Sequence, residues 1–445
     1  GRPDDAVDLY RALLGRYTES LYRDVALYRL GTALDRAGKL EAARVPLWTL
    51  VDDDAASDYR GRALARLGTI ERSAGQDSLA VVVLSRLVEV DPERAAQEDA
   101  WITLAELELE LDHPGEALEW SRRQPEGVGD PARAAALEVE ALARLGRTSE
   151  ASDRLEDLSL AHPDRPELVA VARVHLGEGF AAREQDEDAI EAFRRARNES
   201  SNRETVARAA YGEGLVAAKA QQWADAEAAF ELARDTAPGS DWAAEALFKL
   251  GQLHLRDGDT AASRTAFSSL ADNFPSHPLA PQALRALARV FRQDGRYDKA
   301  LEVYHRILDE YPEVEGGATI LSSIAYCHHE MGQHEVSIAA YEQVLPLLEE
   351  EEQAYARFWI ADSLDKLGRH EEAATAFLRI PYLHPSNGQL AVTAQLKAGE
   401  AWEHQGDVDA ARQIYERVLA AHGAGTQWGD EAARRLERLD RATGG

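Results

Sequence analysis

The chain has 445 residues, of which 79 are acidic and 50 are Lys or Arg, so its formal net charge is −29. This charge argues against nucleic acid as a partner, because phosphates would be repelled, and against an anionic membrane surface. A single cysteine, Cys327, excludes an intramolecular disulfide framework. The apolar runs are far too short to cross a bilayer.

A pattern of two helices recurs about every 37 residues over most of the chain. The first helix has apolar residues at helical spacing. The second carries a small residue and, four positions later, a large one, as at Ala226/Phe230 and Ala300/Tyr304. A fixed period of this size predicts a stacked helical solenoid. We therefore expect one solenoid over residues 1–445 instead of several globular domains.

The chain enters this pattern in the middle of a repeat. Gly1 falls at an inter-helix turn, and Ala6 and Tyr10 fall at core positions of a second helix. Residues 1–20 are therefore predicted to be the second helix of a truncated repeat, and we expect its first helix to precede Gly1. About eleven repeats follow over residues 21–425.

Turns between the paired helices are predicted where glycine, or a residue in its place, follows the first helix, because such a residue commonly adopts a left-handed conformation. These positions are Gly38, Gly75, Asp112, Gly146, Glu184, Gln221, Gly258, Gly295, Gly332, Gly368 and Gly406. Prolines are predicted to stop the second helices; they are Pro92, Pro163, Pro238, Pro275, Pro312 and Pro385. In the third repeat, Pro125 is expected to end the second helix early. Residues 426–445 are predicted to form a capping helix, over Asp430–Leu439, and a frayed tail.

These residues resemble the tetratricopeptide repeat over nearly the whole chain. The resemblance implies an all-α, right-handed superhelical α-solenoid of about eleven to twelve helix-turn-helix repeats, whose first helices line a concave groove that binds other proteins. The segments Asn273–Ala280 and Glu310–Pro312 resemble the repeats of bacterial envelope proteins. This implies a periplasmic or outer-membrane-associated location and association with a membrane complex. A cytoplasmic location is the alternative.

A basic and aromatic patch is predicted on the groove. Arg285, Arg289 and Arg292 form a stripe at i, i+4 and i+7 of one first helix. Further candidates on neighbouring first helices are Phe248, Arg256, Tyr211, Lys219 and Phe358. Arginine forks suit carboxylates and aromatics suit anchoring, so the patch is a hypothetical site for an acidic segment of a partner. The alternatives are that the arginines pair with neighbouring helices and that Phe358 packs against the next repeat.

Nothing in the sequence indicates catalysis or a cofactor. Cys327, His328, His329 and nearby Glu330 and His334 have metal-ligand side chains, but adjacent helical residues point about 100° apart and no zinc spacing is present. His329 and Glu330 are expected to face outward, and no metal is predicted. No phosphate-binding loop or nucleophile elbow occurs. Acidic runs such as Asp52–Asp54 are predicted to be solvated.

The sequence therefore predicts a non-catalytic protein-interaction scaffold, as a subunit or assembly factor of a bacterial envelope complex. Two alternatives stay open. The repeats could be the regulatory or sensor arm of a larger protein whose catalytic or anchoring domain precedes residue 1. They could also brace a complex through their convex face.

Overall fold

The computed structural model describes residues 3–53 and 57–443, in which every regular element is helical. The α-helices are α1 Pro3–Arg16, α2 Arg23–Arg36, α3 Leu40–Asp53, α4 Arg60–Ser73, α5 Asp77–Val90, α6 Pro92–Gln97, α7 Ala100–Glu110, α8 Pro114–Arg122, α9 Pro131–Arg144, α10 Thr148–Ala161, α11 Pro166–Ala182, α12 Asp186–Glu199, α13 Arg203–Lys219, α14 Trp223–Thr236, α15 Asp241–Arg256, α16 Thr260–Asn273, α17 Ala280–Gln293, α18 Tyr297–Glu310, α19 Gly317–Glu330, α20 His334–Val344, α21 Glu350–Lys366, α22 His370–Leu383, α23 Gly388–Gln405, α24 Val408–His422 and α25 Gln427–Thr443. A 3₁₀ turn, Leu345–Leu347, follows α20.

The helices of the described residues form eleven helix-turn-helix hairpins, from α2/α3 to α23/α24. Each hairpin turn contains one residue with a positive φ, and these residues are the eleven predicted turn positions. Three of them are not glycine: Asp112, Glu184 and Gln221 have φ of 61°, 62° and 60°. A side chain in this region costs about 1–2 kcal/mol, so the turn geometry is maintained even where the residue does not favour it.

A large side chain of the second helix packs onto a glycine of the first. A Cβ on Gly251 would lie 2.5 Å from Cε1 of Phe267, and a Cβ on Gly214 would lie 2.6 Å from Cε1 of Phe230. Both rings are almost fully buried. The missing side chain lets the two backbones approach, and the ring fills the space between them. This contact sets the spacing of the hairpin.

The ends of the second helices follow the prolines. Helices α5, α10, α14, α16, α18 and α22 each end two residues before the predicted proline, as predicted. Helix α8 ends early, at Arg122, also as predicted. The short helix α6 was not predicted. It begins at Pro92 and is capped by the Asp91 side chain, which accepts from the backbone NH of Arg94 at 2.9 Å.

The two chain ends extend the repeats with single helices. Helix α1 confirms a helix within residues 1–20. At the other end, α25 is longer than the predicted Asp430–Leu439. Gly1, Asp54 and the last two residues of the predicted tail lie outside the described residues.

The chain divides into two compact units, Gly1–Ala246 and Leu247–Gly445. Each unit is built from the same hairpins, as in an α-solenoid. The extension of one solenoid over residues 1–445 stays a prediction. Among the described residues, no helix has the length and apolar character that a membrane span requires.

Candidate functional site

A pocket of about 750 Å³ opens in the second unit, between the first helices of three successive hairpins, α15, α17 and α19. The second helices α16 and α18 supply its aromatic floor. The residues that line it are Phe248, Gln252, Leu255, Arg256, Phe267, Gln282, Arg285, Ala286, Arg289, Arg292, Tyr304, Gly316, Thr319, Ile320 and Ser323. Four of these side chains are arginines and none is a carboxylate. This composition is opposite to the acidic balance of the whole chain, so the pocket is a local positive site. We call it the Arg pocket.

Arg285 enters the Arg pocket without a carboxylate partner among the described residues. Its Nε and Nη2 are buried and donate no hydrogen bond to the protein. The guanidinium lies against Gly316, where a Cβ would be 3.3 Å from Nη2. A buried donor without an acceptor is costly, so a ligand oxygen that approached this group would satisfy a donor that the fold leaves open.

Arg292 is held by aromatic and hydroxyl groups. Its Nη1 donates to Oγ of Ser323 at 3.3 Å, and its Cζ lies 4.7 Å from the ring centroid of Tyr326. Burial lowers the pKa of Arg292, but the interactions with Tyr304, Cys327 and Tyr326 together more than offset this, and the pKa stands above its ordinary value. Its Nε is buried without a partner. The side chain is therefore fixed in place and keeps its charge.

The other two arginines of the Arg pocket differ in whether they form an ion pair. Arg289 is exposed, and within residues 3–53 and 57–443 it has no ion pair. Arg256 pairs with the adjacent Asp257, whose Oδ1 accepts from Nε at 2.8 Å. Arg289 is thus the arginine with the most freedom to move toward a bound anion.

Many other arginines among the described residues pair with carboxylates, and several of these ion pairs join neighbouring hairpins. Arg306 Nη1 lies 2.7 Å from Oδ1 of Asp272, and Arg208 Nη2 lies 2.8 Å from Oε1 of Glu178. This is the arrangement that would make the predicted stripe purely structural. Arg285, Arg289 and Arg292 depart from it, because no carboxylate of the described residues is near enough to pair with them.

The start of helix α19 adds to the positive character of the Arg pocket. Gly316 is its N-cap, with φ of 74°, and no side chain caps the helix there. Gly316 and Thr319 both line the pocket. The first backbone NH groups of a helix lack acceptors within it and carry a partial positive charge, so this end of α19 adds positive charge to the wall of the Arg pocket.

The remaining wall of the Arg pocket is apolar. Phe248 packs edge-on against Phe267, with ring centroids 5.7 Å apart. Phe248 is half-buried, and Ile320 and Tyr304 continue the surface. The pocket can therefore hold a carboxylate or another oxyanion on one side and an apolar group on the other.

The Arg pocket brings together five of the eight predicted site residues: Phe248, Arg256, Arg285, Arg289 and Arg292. The lining residues Gln252 and Leu255 were missed, although they occupy the positions of Arg289 and Arg292 one 37-residue period earlier. Thr319 and Ser323 were also missed; they lie one 37-residue period after Gln282 and Ala286, which line the pocket from α17.

The other three predicted residues lie elsewhere, in different surroundings from those expected. Tyr211 is buried; its hydroxyl donates to Oε2 of Glu245 at 3.0 Å, and its ring packs on Trp242. Lys219 is half exposed but sits 3.7 Å from carboxylate oxygens of both Glu184 and Asp186.

Phe358 is also a core residue, against the expectation that it faces a groove. Its ring is 5.3 Å from that of Phe377 in the same hairpin. Tyr355, one turn earlier, is the exposed aromatic of α21. The rotation of α21 about its axis, which the sequence does not reveal, decides which of the two faces solvent.

The side chains around Cys327 point in different directions. Cys327 is buried, and burial raises the pKa of its thiol to about 11. His328 meets Oε1 of Gln333 through Nδ1 at 2.6 Å. His329 was expected to face outward but is buried, with Nδ1 2.8 Å from Oγ of Ser363 and Nε2 3.4 Å from Oδ2 of Asp362. The packing of α21 against α19 covers it.

The tetratricopeptide repeat family model matches residues 1–47, 243–315, 328–388 and 383–426. The chain is similar to the crystal structure of yeast Tom70, at 14% identity and a TM-score of 0.34, over 99% of this chain and 92% of that one. It is similar to the structure of Naa15/Naa10 bound to HypK-THB, at 14% identity and a TM-score of 0.37, over 98% of this chain and 75% of that one.

A further similarity is to the crystal structure of MamA protein, at 16% identity and a TM-score of 0.34, over 43% of this chain and 94% of that one. No curated protein sequence matches the chain. These similarities bear on neither partner nor activity.

Proposed function

Because the chain is a tetratricopeptide repeat protein, and such proteins bind other proteins, we propose that it is a non-catalytic scaffold whose Arg pocket captures an acidic segment of a partner. The observation that carries the proposal is the set of three arginines, Arg285, Arg289 and Arg292, with no carboxylate of the described residues to neutralise them. The hydrogen-bonding capacity left open at Arg285 and Arg292 is directed to the ligand.

The ligand we propose is a peptide segment with a carboxylate next to a large apolar side chain. Arginine forks bind carboxylates with two parallel hydrogen bonds, and the backbone NH groups at the start of α19 add a second set of donors. The apolar residue would lie between Phe248 and Ile320. Buried aromatic and arginine side chains are the usual energetic centres of such interfaces.

The test is a selection of random 16-residue peptides displayed on phage against the full chain. Wild type is expected to enrich peptides with Asp or Glu beside Leu or Phe. The double variant R285E/R289E is expected to bind those peptides at least about tenfold more weakly, because two attractive contacts become repulsive.

The matched control is R147E/R195E, which makes the same change in net charge. Both arginines are exposed, and within the part of the chain that the structure describes they form ion pairs only with Glu150 and Glu191 of the same surface. Control and wild type are expected to bind equally. Equal loss in both double variants, or enrichment of peptides without acidic residues, would contradict the proposal.

We further propose that the protein belongs to a bacterial envelope complex and is located in the periplasm or at the outer membrane. The support is the resemblance of the loop segments Asn273–Ala280 and Glu310–Pro312 to repeats of envelope proteins. Fractionation of native cells with an antibody against the chain tests it: recovery in the periplasmic or outer-membrane fraction is expected, and recovery in the cytoplasm alone would contradict it.

A further inference from the structure

Three side chains that are distant in sequence meet outside the Arg pocket. Asp365 lies near the end of α21, His370 is the first residue of α22, and His404 lies near the end of α23. Nδ1 of His370 is 2.7 Å from Oδ1 of Asp365, and Nδ1 of His404 is 3.0 Å from Oδ2 of the same carboxylate. One ligand atom from each residue lies within 4.8 Å of the other two.

We propose that Asp365, His370 and His404 form a binding site for a divalent transition-metal ion, of which Zn²⁺ is the representative. Two imidazoles and one carboxylate are the ligands that zinc takes in open sites, at about 2.0–2.2 Å. At those bond lengths, tetrahedral ligands are about 3.3 Å apart. Oδ1 of Asp365 is 2.7 Å from Nδ1 of His370 and 3.1 Å from Nδ1 of His404, and the ligand atoms of the two histidines lie within 4.8 Å of each other.

The side chains have the freedom that the ion requires. Asp365 is mostly buried, with 13% of its side chain exposed, whereas His404 is 54% exposed. The carboxylate is thus held by its surroundings, and the exposed ring of His404 has room to move outward. The ring centroids of His370 and His404 are 5.2 Å apart at an angle of 57°, so the two rings approach the carboxylate in different orientations.

The same three side chains can be explained by hydrogen bonds alone, and the two explanations predict different positions for the imidazole protons. Without metal, the single carboxylate of Asp365 accepts hydrogen bonds from both rings at Nδ1. With metal, both Nδ1 atoms become ligands and each ring carries its proton at Nε2. The strong negative charge of the chain attracts cations whether or not this site exists. Only a metal site formed by these three side chains would bind zinc saturably.

The site would connect one hairpin to the next. Asp365 and His370 flank the turn between α21 and α22, and His404 comes from the first helix of the following hairpin. A bound ion therefore adds a link between successive repeats. Because it binds the folded arrangement only, it should raise the melting temperature of this part of the chain.

The test is a zinc titration of the full untagged chain in competition with a chromophoric chelator, followed by thermal unfolding with and without zinc. Wild type is expected to bind one equivalent and to melt at a higher temperature with zinc. H404Q and D365N are expected to bind at least about tenfold more weakly, as the loss of a ligand should cost no less than the loss of its supporting groups.

The matched control is H305Q, which removes an exposed histidine of α18. It is expected to bind zinc as wild type does, and so is R285E/R289E, because the Arg pocket is a separate site. The proposal is overturned if wild type does not bind zinc, or if H404Q and D365N bind it as tightly as wild type does. Circular dichroism of each variant establishes that it is folded.

Discussion

The guanidinium of Arg292 lies over the ring of Tyr326, with Cζ 4.7 Å from the ring centroid. An aromatic face thus takes the place that a carboxylate takes for most other arginines of this protein. The ring holds the guanidinium in position without neutralising its charge. An arginine that binds an anion needs both properties.

Replacing Arg292 with Met should change stability little and binding strongly. The substitution R292M forfeits one cation–π contact, worth about 0.5–1 kcal/mol, and the long hydrogen bond to Ser323, and it leaves no buried carboxylate behind. Native-state hydrogen exchange in α19 should report a loss of no more than about 2 kcal/mol. Binding of the selected acidic peptides should fall by about tenfold or more. A large loss of protection with unchanged binding would show that Arg292 is structural.

Arg44 should behave in the opposite way. Its Nη2 is 2.6 Å from Oε2 of Glu71, whose side chain is fully buried. The substitution R44M removes the partner and leaves a buried charge, so it should destabilise by about 3–5 kcal/mol. Hydrogen exchange in α4 measures the loss. Adding E71M to R44M should recover much of it, because the double variant has no unpaired charge. No recovery would indicate that the pair contributes through packing alone.

The substitution G251A should destabilise its hairpin. The new Cβ would lie 2.5 Å from Cε1 of Phe267, a distance that forces the ring or the helix to move. Overpacking of this kind costs about 1–3 kcal/mol. Thermal unfolding should show a lower midpoint, and F267L should restore part of it. The control is G239A, where no atom lies within 4 Å of the added Cβ and no loss is expected.

His384 should make the protein less stable in mild acid. Both ring nitrogens are buried without a hydrogen-bond partner. Burial lowers the pKa of His384 below 6.5; Arg357 lowers it further, and Glu350 opposes this. Below about pH 6.5 the unfolded chain therefore binds a proton more readily than the folded chain does, so stability falls as the pH drops.

The variant H384L isolates this effect. Lowering the pH from 8 to 5 should lower the melting temperature of wild type more than that of H384L. A difference that is independent of pH would show that the buried ring does not resist protonation.

Features that form within one hairpin could be predicted from the sequence, whereas contacts between two successive hairpins could not. Turn positions such as Gly258 follow from local backbone preference, and the predicted stripe Arg285/Arg289/Arg292 follows from helical spacing alone. The burial of Tyr211 depends on Trp242 of the next hairpin. The approach of His404 to Asp365 likewise arises only when α23 stacks on α21. No sequence motif predicts a contact between residues 39 positions apart.

The packing of Phe267 on Gly251 has a consequence for how such a protein can change its length. Both residues belong to the same hairpin, and so do Phe230 and Gly214, the same contact 37 residues earlier. A duplication or deletion of one whole period therefore copies or removes a complete glycine–aromatic pair and leaves every other pair intact. Gene duplication within the array can add a hairpin whose internal spacing is already correct, and only the junctions with its neighbours need to adapt.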